Sequence, residues 1–225
     1  MPVGSFVIRV TSTDNDIGEN AVATYSLPNS TNGMFAIDGP SGNITLLKPL
    51  DAETVSTYTL RVRATDSAHD VLGNVQVDIA DVNDNSPVFQ PPYSFSFSEM
   101  MPVGSQIGYL KASDADISSP NNLSYFSLKL SSSYFNLNST SGLLTSREVL
   151  TFDPTYDLTE PPNRHKLIVI VQDLGTPVRS SEQLIFINVM DFNDHAPVFD
   201  QPRYRSAVPE STAIGNSIIT VKARY

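Results

Sequence analysis

Short runs in which apolar and polar residues alternate recur along the whole chain, and turns rich in Gly, Pro, Asn and Asp separate them. Alternation with a period of two puts every second side chain on the same face, which is typical of half-buried β-strands. The longest such run in the first half of the chain is Tyr58–Ala64. No segment longer than a turn has the period of an amphipathic helix. The chain is therefore predicted to be all-β.

The alternating runs occur twice in the same order, which indicates an internal repeat. Met1–Ser5 returns as Met101–Ser105, and Asp81–Phe89 returns as Asp191–Phe199, 110 residues later. About a hundred residues suffice for one seven-stranded β-sandwich. We therefore predict sandwiches stacked end to end, with the first unit starting partway through its first strand. The predicted units are residues 1–88, residues 89–198 and the beginning of a third unit at 199–225.

The sequence offset between corresponding residues of the two units increases along the chain, from 100 at Met1 and Met101 to 107 at Asp66 and Asp173. The extra residues fall in a Pro-rich stretch between Phe152 and Asn163, which is predicted to be a surface excursion, with a contact loop as the alternative. Aromatic residues at matching positions are predicted to be in the cores: Tyr25, Tyr125, Phe35, Phe135, Phe89 and Phe199. The three histidines, His69, His165 and His195, are predicted to lie on the surface.

The composition narrows the possible partners. The formal charge is −10, with 24 acidic and 14 basic residues, which argues against nucleic acid and anionic membranes as partners. There is no cysteine, so disulfides, thiolate metal sites and cysteine nucleophiles are excluded. Asn-x-Ser/Thr sequons compatible with secretion occur at Asn29, Asn43, Asn122 and Asn138. No signal peptide or membrane span is recognisable in these residues, so we expect any membrane anchor to lie outside them.

The repeated nonapeptide carries the most specific chemistry. Asp81–Asn85 offers carboxylate and amide oxygens only, which a hard cation such as Ca²⁺ prefers. Pro87 and the residue before it favour an extended backbone, so the segment reads as a stiff connector between units. An ordinary polar turn is the alternative reading of these nine residues alone.

Strand order predicts that acidic residues from two units meet at this connector. Successive strands of such a sandwich run in opposite directions, so the acids that follow the fifth and seventh strands of unit one lie at the same end, its lower end. Those after the second and sixth strands of unit two share its upper end. Seven carboxylates would converge there: Asp51, Glu53, Asp81, Asp84, Asp114, Asp116 and Asp173. Two carboxylates 4 Å apart repel by about 4 kcal/mol at an effective dielectric near 20, so the cluster is expected to need divalent cations.

The motifs, in this order and spacing, resemble the extracellular repeats of the cadherins over essentially the whole chain. They are Asp-x-Asp-x-Gly-x-Asn from Asp14, Leu-Asp-x-Glu from Leu50, Ala-x-Asp from Ala64, Asp-x-Asn-Asp-Asn from Asp81 and Pro-x-Phe from Pro87. The resemblance implies Greek-key β-sandwiches whose joints bind Ca²⁺. Long, many-repeat members of the protocadherin or Fat type fit better than short ones.

The resemblance also implies ligands for the central joint. Asp51, Glu53 and Asp84 would hold the upper ions with the carbonyl of Asp81. The lower ion would take Asn83, the carbonyl of Asn85, Asp114, Asp116 and Asp173. Asn121 is expected to fill the place that Asn20 has in unit one, with Asn122 as the alternative.

The outer joints are expected to be half present. Asp14, Asp16, Asn20 and Asp66 would serve a joint above unit one. A joint below unit two would use Glu99, Asp191, Asn193, Asp194 and the carbonyl of His195. Unit two has no clean Leu-Asp-x-Glu motif, and either Asp153 or Glu160 fits its acidic position by counting.

The predicted function is calcium-dependent cell–cell adhesion by an extracellular segment of a cadherin-like receptor at the plasma membrane. The implied partners are the same or related cadherin chains on an apposed cell, with no nucleic acid and no small-molecule substrate. A passive spacer or force-bearing tether is the alternative. Enzymatic activity is not expected, because no Ser, His or Lys recurs beside Asp114 and Asp116 and no nucleophile elbow is present.

Overall fold

A computed structural model describes residues 1–28, 33–66 and 68–224, with Asn20 described by its backbone only. The sequon at Asn29 lies outside the described residues. Within them the only helical element is a single 3-10 turn at Gly18–Ala21. None of the described segments forms a helix long and apolar enough to cross a membrane. The prediction of an all-β chain is confirmed.

Unit one is a sandwich of two three-stranded antiparallel sheets, ordered β1-β4-β3 and β2-β5-β6. Its strands are β1 (Phe6–Arg9), β2 (Thr24–Ser26), β3 (Phe35–Ile37), β4 (Asn43–Leu46), β5 (Thr57–Thr65) and β6 (Asp70–Asp78). The inward residues of the alternating runs meet between the sheets, since alternate side chains of a strand point to opposite faces. The core consists of Phe35, Ile44, Leu46, Leu60 and Val62.

Unit two repeats this architecture with one more strand in its larger sheet, ordered β11-β14-β15-β8 against β12-β13-β9. The strands are β7 (Val88–Gln90), β8 (Ser94–Ser98), β9 (Gln106–Tyr109), β10 (Lys111–Ser113), β11 (Ser124–Leu128), β12 (Phe135–Leu137), β13 (Leu143–Ser146), β14 (Arg164–Asp173) and β15 (Ser180–Met190). β7 pairs with β10 and β8 runs parallel to β15, so the first strand of the sandwich is divided between the two sides. Its seven predicted strands are present, the first and second each in two pieces.

The region predicted to begin a third unit contains one described strand pair, β16 (Val198–Phe199) with β17 (Ala223–Arg224). Phe199 is 63% exposed, and its ring lies edge-to-face with the ring of Tyr204, with 6.2 Å between the ring centroids. The prediction that Phe199 lies in a core is therefore wrong for this chain, since the described residues 200–224 leave more than half of its surface uncovered. Phe89, its counterpart, is buried in the core of unit two.

The aromatic residue of unit two that corresponds to Tyr25 is not the one 100 positions later in the sequence. Tyr125 is 41% exposed, whereas Phe126 is 5% exposed and belongs to the core. A Cβ on Gly42 would meet the Tyr25 ring at 3.2 Å, and one on Gly142 would meet the Phe126 ring at the same distance. Phe126 is thus the true counterpart of Tyr25. A shift of one residue turns a strand side chain to the other face, so the prediction for Tyr125 is wrong.

The Pro-rich excursion lies where the spacing places it. Ten residues separate β4 from β5 and seventeen separate β13 from β14, which accounts for the seven extra residues. The buried amide of Asn163 organises the loop: its Oδ1 accepts from the N–H of Asp153 at 2.8 Å, and its Nδ2 donates to the carbonyls of Asp153 and Tyr156. His165, which follows, is 8% exposed and lies against the rings of Tyr134 and Phe135, so its predicted surface position is wrong.

Candidate metal centre

The connector Asp81–Pro87 leads from the end of unit one into unit two and is anchored at both ends. β6 ends at Asp78, three residues before Asp81, and β7 begins at Val88. Pro87 and Phe89 are buried in unit two, and Asn83 is only 5% exposed. The proline fixes φ and the aromatic ring fills the core, so the polar residues that precede them, within Asp81–Ser86, are held over the upper end of unit two.

Carboxylates from both units meet around this connector in two overlapping groups. In the first, oxygens of Glu53, Asp81 and Asp116 all lie within 4.8 Å of one another. In the second, the same holds for Asp114, Asp116 and Asp173. Asp116 belongs to both groups and is itself buried. Acids that are up to 120 residues apart in sequence are therefore brought to one place by the stacking of the two sandwiches.

Direct hydrogen bonds across the joint hold the two units together. Asp81 Oδ2 accepts from the backbone N–H of Ser118 at 2.9 Å and from Asn121 Nδ2 at 3.1 Å, and also from the Ser118 hydroxyl. Asn85 Nδ2 donates to Asp84 Oδ1 at 2.9 Å and to Asp116 Oδ1 at 2.8 Å. Asp84 and Asp116 thus share one amide group.

Five oxygens at the joint are buried and accept no hydrogen bond in the described part of the chain. They are Glu53 Oε1, Asp81 Oδ1, Asn83 Oδ1, Asp114 Oδ2 and Asp116 Oδ2. A buried polar atom without a partner costs about 1–3 kcal/mol, and more when it is charged. Unpaired acceptors from both units are concentrated at this joint. A bound cation would satisfy them, so they indicate a cation site.

The surroundings of the joint shift the pKa values of its carboxyls in both directions. A hydrogen bond from its own backbone N–H lowers the pKa of Glu53, but the Asp81 carboxylate, burial and Asp51 outweigh it and raise the pKa to about 7. A hydrogen bond from the Ser118 hydroxyl leads the contacts that lower the pKa of Asp81 to about 2. Burial, followed by repulsion from Asp116 and Asp173, raises the pKa of Asp114.

The donor set fits Ca²⁺. All the unpaired atoms at the joint are oxygens of carboxylates or of an amide. Ca²⁺ takes six to eight oxygen ligands in flexible geometry, whereas structural Zn²⁺ sites use Cys and His, and no histidine lies in either acidic group.

Comparisons with known proteins agree with this arrangement. A family model described as "Cadherin domain" matches residues 1–80 and 93–190. The chain belongs to the cadherin family.

Its relatives include long cadherins, as predicted. It is 36% identical over 224 residues to Protocadherin Fat 4 of Mus musculus, covering 99% of this chain and 4% of that protein. It is 34% identical over 227 residues to Cadherin EGF LAG seven-pass G-type receptor 2 of Homo sapiens, covering 98% of this chain and 8% of that protein. This cadherin chain therefore spans less than a tenth of the length of these curated relatives.

Solved cadherin structures share the tandem fold. Extracellular cadherin domains 3–6 of Protocadherin Gamma B2 superpose with a TM-score of 0.77 at 25% identity, covering 99% of this chain and 55% of that one. Mouse cadherin-23 EC22–24 gives a TM-score of 0.67 at 29% identity, covering 99% and 71%. The predicted fold, tandem cadherin-like β-sandwiches, is confirmed.

The acids at the upper end of unit one are only partly brought together. Asp14 and Asp66 line one cavity of about 150 Å³ with His69. Asp14 Oδ1 accepts from the N–H of Asp16, and Asp66 Oδ1 accepts from the N–H groups of Ala68 and His69. The side chain of Asn20 lies outside the described residues. These oxygens are occupied by their own turns.

The predicted acids at the lower end of unit two form no acidic group of three or more among the described residues. Both carboxylate oxygens of Glu99 are used: Oε2 accepts from the N–H of Phe152 at 2.8 Å and Oε1 from the N–H of Phe192 at 3.0 Å. Those two bonds lead the contacts that lower the pKa of Glu99. Asp194 lies 2.5 Å from Nδ1 of His195, and residues Asp191–His195 are all exposed.

The two candidates for the acidic position of the lower joint lie apart from any acidic group among the described residues. Asp153 Oδ1 accepts from the N–H and the hydroxyl of Thr155, so it closes a local turn. Glu160 forms an exposed ion pair with Lys166, with 2.9 Å between Oε1 and Nζ. Among the described residues, neither Asp153 nor Glu160 forms a group with Glu99 that could hold a metal ion.

Three contributors to the central joint were missed by sequence reasoning. Ser118 binds Asp81, Pro177 accepts from Asn83 Nδ2 at 2.5 Å, and Arg179 Nε donates to the Asn83 carbonyl at 2.9 Å. They stand in loops beside the acidic motifs rather than in them. The six-residue spacing of Asp173 and Arg179, against three between Asp66 and His69, was the available signal.

Proposed function

We propose that this chain is part of the extracellular region of a calcium-dependent adhesion receptor, in which Ca²⁺ between the two repeats makes them one stiff rod. The observation that carries the proposal is the set of five buried oxygens, from both units, that lie at one joint without a hydrogen-bond partner among the described residues. Membership in the cadherin family supports it and favours a non-enzymatic role.

The residues that would hold the ions are those whose oxygens stand free at the joint, together with the acids beside them. From unit one and the connector these are Asp51, Glu53, Asp81, Asn83, Asp84 and the Asn85 carbonyl; from unit two they are Asp114, Asp116 and Asp173, with Asn121 close by. Bound Ca²⁺ would supply positive charge to a site that otherwise holds mutually repelling carboxylates. The affinity expected for an extracellular module corresponds to a Kd of about 10⁻⁴–10⁻³ M.

Small-angle scattering with and without a chelator tests the stiffening. We expect the maximum dimension to increase and the distribution of interunit distances to narrow when Ca²⁺ is added at about 10 mM, well above that Kd. A profile that does not change between excess chelator and Ca²⁺ would contradict the proposal.

The proposed partner is a cadherin chain of the same or a related kind on an apposed cell. The neighbour Protocadherin gammaB7 EC3–6 is described as a cis-dimer, which is a property of that protein and supports protein–protein contact as the class of interaction. Sedimentation of this chain in millimolar Ca²⁺ distinguishes adhesion from a passive spacer: calcium-dependent self-association favours the former, and a monomer at all concentrations favours the latter.

A further inference from the structure

The loop 174–179 of unit two surrounds Asn83 of the connector on three sides. Asn83 Nδ2 donates to the Pro177 carbonyl at 2.5 Å, and Arg179 Nε donates to the Asn83 backbone carbonyl at 2.9 Å. Beneath the amide lies Gly175, where an added Cβ would come within 2.4 Å of Asn83 Nδ2 and 2.7 Å of Asn121 Oδ1.

The same loop is tied to a carboxylate of the joint. Asp173 precedes it, and both of its carboxylate oxygens accept from the backbone N–H of Arg179 at 3.1 Å. Asp173 also accepts from the N–H of Gly175 and donates its own N–H to the Arg179 carbonyl at 3.0 Å. Arg179 therefore connects Asp173 of unit two, through its backbone, to the connector of unit one, through its side chain.

We propose that loop 174–179 is a metal-independent clamp that limits the bending between the two repeats, which Ca²⁺ then reduces further, and that points Asn83 Oδ1 into the acidic site. With Nδ2 held by Pro177, the opposite atom of the amide is the buried, unpaired Oδ1. An amide flip would put a donor there and leave two carbonyl oxygens facing each other. The clamp thus fixes both the orientation of the connector and the identity of the atom offered to a cation.

This clamp belongs to the central joint and has no counterpart in the described residues at the upper end of unit one. There Asp66 donates its N–H to the carbonyl of His69, the position that Arg179 occupies in unit two. The His69 side chain is 83% exposed, and three fewer residues separate it from the aspartate. Neither a glycine nor a proline stands between them.

Spin labels can report the clamp in the absence of calcium, because the chain has no cysteine of its own. Asn74→Cys in β6 and Asn136→Cys in β12 place one label on the exposed face of each unit. In excess chelator we expect a bounded distance distribution for the otherwise unchanged chain. We expect about a twofold broader distribution when Arg179→Ala is added, since the connector then loses a hydrogen bond to a charged donor.

The controls separate the clamp from general destabilisation. Arg147→Ala removes the same charge from an exposed side chain of unit two, which donates to the Ser132 carbonyl at 3.4 Å, and should leave the distribution unchanged. Arg179→Lys should recover part of the order, because an ammonium retains a donor but not the guanidinium geometry. A distribution in chelator that is equally broad with and without Arg179→Ala would overturn the clamp, even if added Ca²⁺ still narrows both.

A second variant tests the orientation of Asn83, and this part rests on the proposed function. Gly175→Ala should weaken Ca²⁺ binding about tenfold by calorimetry, because its Cβ displaces the Asn83 amide. Gly73→Ala in β6, where an added Cβ meets nothing within 4 Å, is the matched control. Equal affinities for these two variants would overturn the orienting role. No Ca²⁺ binding by the unmodified chain would instead contradict the proposed function, while the measurement in chelator would still decide the clamp.

Discussion

The two copies of the connector, Asp81–Phe89 and Asp191–Phe199, have nearly the same sequence and very different surroundings. In the first, Asn83, Pro87 and Phe89 are buried and the acids face those of the next repeat. In the second, every residue is exposed. Residues 200–225 contain no counterpart of Asp114 and Asp116 to face it. The difference shows that the motif supplies ligands, whereas the neighbouring sandwich supplies the burial and the opposing carboxylates that make a site.

The largest effect expected from this comparison concerns the two phenylalanines. Phe89→Ala should lower the free energy of unfolding of unit two by about 3–5 kcal/mol, because it removes a ring from a close-packed core next to Phe126. Phe199→Ala should change stability by no more than about 0.5 kcal/mol, as for other exposed positions. Urea denaturation followed by circular dichroism measures both. Similar losses for the two variants would show that Phe199 is buried in solution.

A smaller effect is expected from the matching aspartates of the two connectors. Asp84→Ala should remove up to about 2.7 kcal/mol of calcium-dependent stabilisation, the value for one site at a Ca²⁺ concentration a hundred times its Kd. Asp194→Ala should leave that stabilisation unchanged, since Asp194 lies beside His195 and belongs to neither acidic group. The measurement is the melting temperature with Ca²⁺ and with chelator. If Asp194→Ala reduced the calcium response as much as Asp84→Ala, the second connector would have to bind calcium as well.

The fold and most of the acids at the central joint could be predicted from the sequence, because both depend on the order of strands and loops along the chain. Successive strands of a sandwich run in opposite directions, and this decides at which end each loop lies. The proximity of Asp116 to Glu53 and Asp81 could therefore be predicted. The exact offset between repeats could not. Tyr125 and Phe126 are both aromatic, and only the packing against Gly142 shows which one faces inward.

The contacts of single side chains were also beyond reach. Asn163 and His165 are polar types that usually lie outside, yet both are buried. Asn163 is held by hydrogen bonds within the loop 152–163, and His165 packs against the rings of Tyr134 and Phe135. Arg179 matches no motif, and its reach to Asn83 depends on the path of loop 174–179. Such contacts depend on tertiary structure, which the alternation of polar and apolar residues does not encode.

The smallest effect is expected from Glu160, which counting along the sequence had made a candidate ligand. Its exposed pair with Lys166 resembles the pair of Glu182 and Lys129, which lie 2.8 Å apart with similar exposure. Exposed ion pairs contribute about 0–1 kcal/mol, so Glu160→Gln and the control Glu182→Gln should cost equally little stability. Calorimetric titration of either variant should give the calcium stoichiometry of the unmodified chain, because neither carboxylate belongs to an acidic group of three or more in the described part of the chain. A lower stoichiometry for Glu160→Gln alone would return this residue to the lower joint and weaken the contrast between the two connectors.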